Sequence, residues 1–175
     1  MLAGNKIVLR PFQAEDAELV YQATLDPVLR RLTGTQNTFT LEQVQAYVAR
    51  YANNPEDRVG FIIAERETLK AVGEIVLLNI DPDNRSANIR IGLFRVADLD
   101  QGYGSEAMRL MVDYGFRTLK LHRIGLDVLD FNTRAVHVYE KIGFKQEGML
   151  RDTLFYEGAY HSEILMGILE SEWLR

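Results

Sequence analysis

The sequence predicts an α/β (α+β) domain, a mixed, mostly antiparallel sheet of seven strands flanked by about four helices. Three observations point there. Strand-like runs at Val59–Glu65, Val72–Ile80 and Ala87–Val96 follow one another with only short turns between them, the mark of an antiparallel meander. A glycine turn, a helical stripe and a further strand-like run come next, which reads as one parallel crossover. Two last strand-like runs flank Glu157-Gly158, the chemistry of a closing hairpin.

Taken in order, residues 5–11 (NKIVLRP) alternate as a strand that Pro11 ends. Residues 15–24 read as a helix that stops before Asp26-Pro27. Thr40 and Gln43 form a capping box, and the helix they open places Val44, Tyr47, Val48 and Tyr51 on one face. Asn53-Asn54-Pro55 ends it. The meander follows, with turns near Glu67–Lys70 and at Asp81-Pro82-Asp83-Asn84. Its third run alternates Ile89, Ile91 and Leu93 with Asn88, Arg90 and Gly92, so one face is buried. Ala107, Leu110, Met111 and Tyr114 form the next helical stripe. A strand at His122–Leu129, a short helix at Thr133–Ile142 and strands near Phe144–Phe155 and Tyr160–Leu169 complete the order.

With 175 residues, the chain is expected to form one domain over 1–175. It has no cysteine, which excludes disulfides, thiolate metal sites and a cysteine nucleophile. A net charge of −5 argues against nucleic acid as a partner and suits a cationic amine or simple solubility. No apolar run approaches the ~18 residues of a membrane span, and the N-terminus lacks a signal-peptide core. A cytoplasmic protein is the expectation. His122, His137 and His161 have no metal-ligand spacing, so no metal is expected.

Two segments carry chemistry. Gln101-Gly102-Tyr103-Gly104 precedes a helix, where glycines let backbone N–H groups approach a ligand and the helix N-terminus favours an anion such as a pyrophosphate. Ser105 adds a hydroxyl. The same residues also fit an ordinary turn before a helix. Gly102, Gly104 and Ala107 formally match a dinucleotide fingerprint, but residues intervene after Val96 and there is a single βαβ unit.

The second segment is Asn132 to Phe144, NTRAVHVYEKIGF. Asn132 can bond an amide-bearing ligand arm. Tyr139 shares a face with Ala135, Val138 and Ile142, so it is either a core tyrosine or a general acid for a departing thiolate. Arg134 and Lys141 are phosphate contacts or solvated helix charges.

These residues resemble the GNAT superfamily of acetyl-CoA-dependent N-acetyltransferases. The element order is similar over nearly the whole chain. The family's cofactor loop corresponds to Leu99–Gly104, with the glycines in place and Leu99 at the usual leading polar position. The pattern N-x-R-A-x-x-x-Y-E-K-x-G-F matches from Asn132 to Phe144. Leu9, Arg10, Phe12 and Asp16, with Glu147–Asp152, are similar to the subgroup of ribosomal-protein N-terminal acetyltransferases and spermidine acetyltransferase.

The resemblance implies splayed central strands, with pantetheine between the strand ending at Val96 and that at Ile124–Leu129. It implies pyrophosphate on the amides of Gln101 to Ser105, a thioester polarised by backbone near Phe94, cofactor contact from Asn132 and protonation of the thiolate by Tyr139. Acetyl-CoA would be the cosubstrate. The acceptor expected first is a protein or peptide N-terminus, and second a small-molecule amine. Relatives carry a glutamate where this chain has Arg90 or Asn88, which leaves Glu74 or a water relay as candidate base. The region Arg30 to Thr38, RRLTGTQNT, lacks the acidic patch of a polyamine site. A CoA-binding sensor without turnover and a dinucleotide oxidoreductase are the readings from other classes. A homodimer is a further expectation.

Overall fold

A computed structural model describes residues 1–53 and 55–174; the expected helix stop at Asn53-Asn54-Pro55 therefore falls partly, at Asn54, outside the described residues. The described residues form one sheet of 8 strands in the order β1-β2-β3-β4-β5-β6-β8-β7. The strands are β1 (Leu2–Ala3), β2 (Ile7–Arg10), β3 (Arg58–Glu65), β4 (Ala71–Asp81), β5 (Ser86–Leu93), β6 (Arg123–Leu129), β7 (Lys145–Tyr156) and β8 (Ala159–Leu169). The helices are α1 (Asp16–Leu25), α2 (Pro27–Thr33), α3 (Leu41–Ala52), α4 (Tyr103–Arg117), α5 (Thr133–Ile142) and α6 (Glu170–Trp173). The strand expected over Ala87–Val96 ends at Leu93, and Val96–Asp98 turns into a short 3₁₀ helix.

β1, α2 and α6 are additional to the seven strands and four helices expected. β1 and α6 have only 2 and 4 residues, too short to leave a periodic signature. α2 has a physical signature after all: Asp26 caps it, accepting from Val28 N at 2.9 Å and Leu29 N at 3.1 Å, and Pro27 occupies its first turn. Asp26-Pro27 thus ends one helix and starts the next. Gly34, with φ 65°, closes α2 in the left-handed conformation. The capping box of α3 forms as expected, with Thr40 Oγ1 accepting from Gln43 N at 3.2 Å and Gln43 Oε1 accepting from Thr40 N at 2.9 Å.

Two cores lie on opposite faces of the sheet, as the period-two alternation of strand side chains dictates. Ile63, Ile75, Leu77, Ile89 and Ile124 pack against Met108, Met111 and Phe116 of α4. Ile62, Val76 and Phe94 pack against Val20 of α1 and Val44, Val48 and Tyr51 of α3. Each such side chain, fully buried, contributes about 1.5–3 kcal/mol of transfer free energy. The opening motif has a structural reason here. Arg10 grips Asp16 with both guanidinium nitrogens, at 2.9 and 2.6 Å, and Phe12 stacks on Tyr51 with ring centroids 5.2 Å apart.

The single parallel pairing is what shapes the site. β5 pairs β6 only through Ser86↔Arg123, Ala87↔Ile124 and Asn88↔Gly125. Beyond those residues β5 runs on to Leu93 and β6 to Leu129 without pairing to each other, so the two strands splay. An otherwise antiparallel sheet with one short crossover also removes the dinucleotide reading, which needs a doubly wound parallel sheet.

Candidate functional site

A cavity of about 320 Å³ opens beside the splay. Ile91, Gly92 and Leu93 of β5 form one wall, and Gly102, Tyr103, Gly104 and Ser105 cradle one end. Asn132, Arg134, Val138 and Tyr139 of α5 form the facing wall. Gly102 caps α4 with φ 84°, a left-handed turn that bares the first-turn amides of the helix. Those amides and the helix dipole suit a diphosphate. Lys6 adds a cation that sequence reading missed: its Nζ donates to Gln101 O at 3.1 Å, and a Cβ at Gly102 would lie 3.5 Å from it. Nothing in the local pattern around Lys6 could have placed it there, because β2 and the loop meet only in the fold. The groove therefore fits a CoA-type diphosphate and its arm.

The expected site residues divide. Gly102, Tyr103, Gly104, Ser105, Asn132, Arg134 and Tyr139 converge on this groove. Phe94, Val96, Gln101 and Lys141 do not line it. Phe94 N–H donates to Val72 O at 2.9 Å and so is not free to polarise a carbonyl; its ring packs in the α1/α3 core. Peptide groups alternate sides along a strand, so it is the Leu93 amide that turns toward the open side. Val96 is 43% exposed on the 3₁₀ turn, away from the gap, because β5 ends before it. Gln101 serves through its carbonyl. Lys141 is exposed, its carbonyl accepting from Arg109.

Two residues in the groove carry more structural duty than expected. Asn132 caps α5, Oδ1 accepting from Ala135 N at 3.3 Å, while its Nδ2 donates to Leu32 O of α2 at 3.3 Å. It ties α2 to α5 with both ends of its amide. Arg134 pairs Asp100 at 2.9 Å on the groove rim. The Tyr139 hydroxyl, by contrast, makes no hydrogen bond among the described residues. Burial, with a smaller contribution from Asp127, pushes its phenol up to about 12.

A second cavity, of about 530 Å³, lies on the other side of β5. Its walls are α1, α2, α3 and the strands β4 and β5. The two cavities share Leu29, Thr33, Ile91, Gly92 and Leu93. They therefore meet at the free end of β5. Glu74 lines the second cavity, its side chain 16% exposed. Its Oε1 accepts from Tyr47 Oη at 2.9 Å, and Tyr47 Oη accepts from Arg90 at 2.9 Å. Burial raises the Glu74 carboxyl above the usual carboxylate range, against the opposing pull of Arg90 and Tyr47.

Residues 6–145 match the family described as the acetyltransferase (GNAT) domain. The chain belongs to the GNAT acetyltransferase family. As a GNAT enzyme it is an N-acetyltransferase with acetyl-CoA as cosubstrate. The spermidine N(1)-acetyltransferase of Escherichia coli K12 is 27% identical over 174 residues, covering 99% of this chain and 91% of that one. Its counterpart from Vibrio cholerae is 32% identical over 133 residues, 76% of this chain and 75% of that one. A probable N-acetyltransferase of Bacillus subtilis is 30% identical, with 98% of each covered. Among solved structures, the Vibrio cholerae spermidine N-acetyltransferase in complex with CoA and spermine superposes with TM-score 0.89 at 23% identity, covering 98% of this chain and 100% of that one. A GNAT acetyltransferase from Bacillus anthracis gives TM-score 0.84 at 26% identity over 98% and 99%.

Proposed function

We propose that this GNAT enzyme acetylates a primary amine on a small molecule, by direct attack across the junction of the two cavities. The observation that carries this reading is the second cavity. It is a half-open cavity of about 530 Å³, the size of a small-ligand site, and it meets the donor groove at the free end of β5. A protein or peptide N-terminus was the acceptor expected first from the sequence, and a cavity of this size is better matched to a small amine. The curated relatives named as spermidine acetyltransferases add weight to a small amine.

Each residue in the groove has a task in this reading. When bound, acetyl-CoA supplies the activated acyl group. The first-turn amides of α4, with Lys6 and Arg134, would hold its diphosphate. The Leu93 amide would face the thioester carbonyl and stabilise charge developing there. Tyr139 keeps its proton at neutral pH and is placed to give it to the sulfur. Asn132, in tying α2 to α5, holds the acceptor wall against the donor wall.

Free-thiol release measured over a panel of small amines and peptides tests the reading. Turnover of small amines well above that of peptides is expected. Turnover of peptides alone, or tight CoA binding with no turnover of any amine, would overturn it, the latter in favour of a sensor. A homodimer belongs to the same reading, because β7 ends the sheet with Met149, Leu150 and Phe155 exposed.

A further inference from the structure

We infer that the acceptor is a primary monoamine with an apolar body and no second cation, and that Glu74 receives its ammonium and takes its proton. This rests on the small-amine reading above and goes beyond it, since relatives of the same fold are named for polyamines.

The cavity's wall sets the class. Val20, Ala23, Leu29 and Val44 are among its lining side chains and offer nothing to an ammonium, while Phe39 and Phe94 add apolar rings. Glu74 is its single carboxylate, against two guanidiniums, Arg30 and Arg90. A polyamine brings at least two separated cations, and its second would find no carboxylate, only apolar wall, arginine and neutral groups such as Thr33, Thr35 and Gln43. An alkylamine or arylalkylamine brings one cation and an apolar remainder, which matches one carboxylate in an apolar chamber.

Glu74 is built for the role. Its Oε2 is buried and has no hydrogen-bond partner, whereas Oε1 is held by Tyr47. A buried carboxylate oxygen left open costs free energy unless a ligand completes it. An ammonium supplies the missing donor. From α3 the carboxyl faces Tyr47, from β5 Arg90, and across the cavity Arg30 of α2; α1 contributes Val20, Ala23 and Thr24, none of which titrates. Arg90 bonds Tyr47 and makes a long ion pair with Oε1, its nitrogen 4.0 Å away, so it does not occupy Oε2.

Its position also fits. Glu74 lies directly across the ladder from Gly92, which lines both cavities. A Cβ built at Gly92 would meet nothing within 4 Å. The glycine therefore leaves an opening beside the carboxylate at the point where the cavities join. The carboxylate that the resemblance expected on β5, at Arg90 or Asn88, is supplied from β4.

The proton balance closes. The ammonium gives one proton to Glu74, and the freed nitrogen attacks the acetyl carbonyl carbon. The C–N bond forms and the C–S bond breaks, with the sulfur taking a proton from Tyr139. The nitrogen's second proton leaves through solvent, and Glu74 and Tyr139 return to their starting states. The net change is ammonium plus thioester to amide, thiol and one proton.

The test compares 2-phenylethylamine and hexylamine with spermidine and spermine, using the intact enzyme and acetyl-CoA. We expect kcat/KM for the monoamines to exceed that for the polyamines by about a hundredfold or more, as fits a site whose polar groups are mismatched to the competitor. Preference for the polyamines would overturn the inference and leave the small-amine reading standing; no turnover of any amine would overturn both. Glu74→Gln keeps the bond to Tyr47 and separates chemistry from structure. It should lower monoamine kcat/KM about a hundredfold at pH 7, in the range of lost general-base catalysis. The deficit should shrink as pH rises toward the amine's own pKa, about 10.4 for an alkylamine, because the substrate then arrives deprotonated. A deficit of constant size at every pH, or none, would overturn the base assignment.

Discussion

Replacing Tyr139 by Phe removes one oxygen and leaves the ring, which packs against the core and lies 6.1 Å from the Phe144 ring. The hydroxyl has no hydrogen-bond partner among the described residues, so its loss should cost the fold less than about 1 kcal/mol, a change in Tm of under about 4 °C. Catalysis should suffer far more. A positioned general acid contributes about 10²–10⁴-fold, equivalent to roughly 2.7–5.5 kcal/mol of barrier. The sign of the pH dependence follows from the phenol's environment. Pushed up to about 12, it stays protonated and able to donate throughout the range from neutral to pH 10. Wild-type activity should therefore show no alkaline fall due to Tyr139 in that range. Steady-state thiol release, with CoA affinity measured by calorimetry, gives the answer: kcat down at least tenfold with CoA affinity nearly unchanged. Wild-type turnover in Tyr139→Phe would refute the reasoning and return the residue to the core.

Gly92→Val should fill the opening between the cavities without strain, since its Cβ meets nothing and its φ is not in the left-handed region. Amine kcat/KM should fall about 10–200-fold, the usual effect of added methyl groups in a substrate pocket, with a smaller loss of CoA affinity by calorimetry because Gly92 also lines the donor groove. Gly102→Ala forces a side chain into the left-handed conformation at φ 84°, at a cost of about 1–2 kcal/mol; weaker thermal stabilisation by CoA should report the disturbed cradle. Asp16→Ala leaves Arg10, 17% exposed, without its partner. A loss of about 3 kcal/mol, or roughly 6–12 °C in Tm by calorimetry, is expected with kcat unchanged.

Most of the architecture was legible before folding because it depends on short-range pattern. The capping box at Thr40 and Gln43, the stripes of α3, α4 and α5, and the turns of the meander are all set by residues within one or two turns of each other. α2 escaped because Asp26-Pro27 reads as a stop, and the same dipeptide caps the helix that follows. That Gly102 to Ser105 and Tyr139 would line one groove was expected from the resemblance, and each lies on a locally legible element, a glycine turn or an amphipathic face. Phe94 was misplaced because neighbouring amides in a strand face opposite sides, and Val96 because β5 ends at Leu93, three residues before it.

Composition and spacing by themselves established an α/β chain with a glycine turn before one helix and a tyrosine on the apolar face of another, and the resemblance to the GNAT superfamily made these the expected donor side. The acceptor side belongs to the fold. Glu74 looks like any other polar residue on a strand until β4 and β5 pair, α3 brings Tyr47 onto it, and Gly92 comes to lie opposite. Lys6 meets the glycine loop across a sequence separation of 95 residues. Such contacts join elements far apart in the chain, and a carboxylate's burial and charge partners exist only once those elements pack.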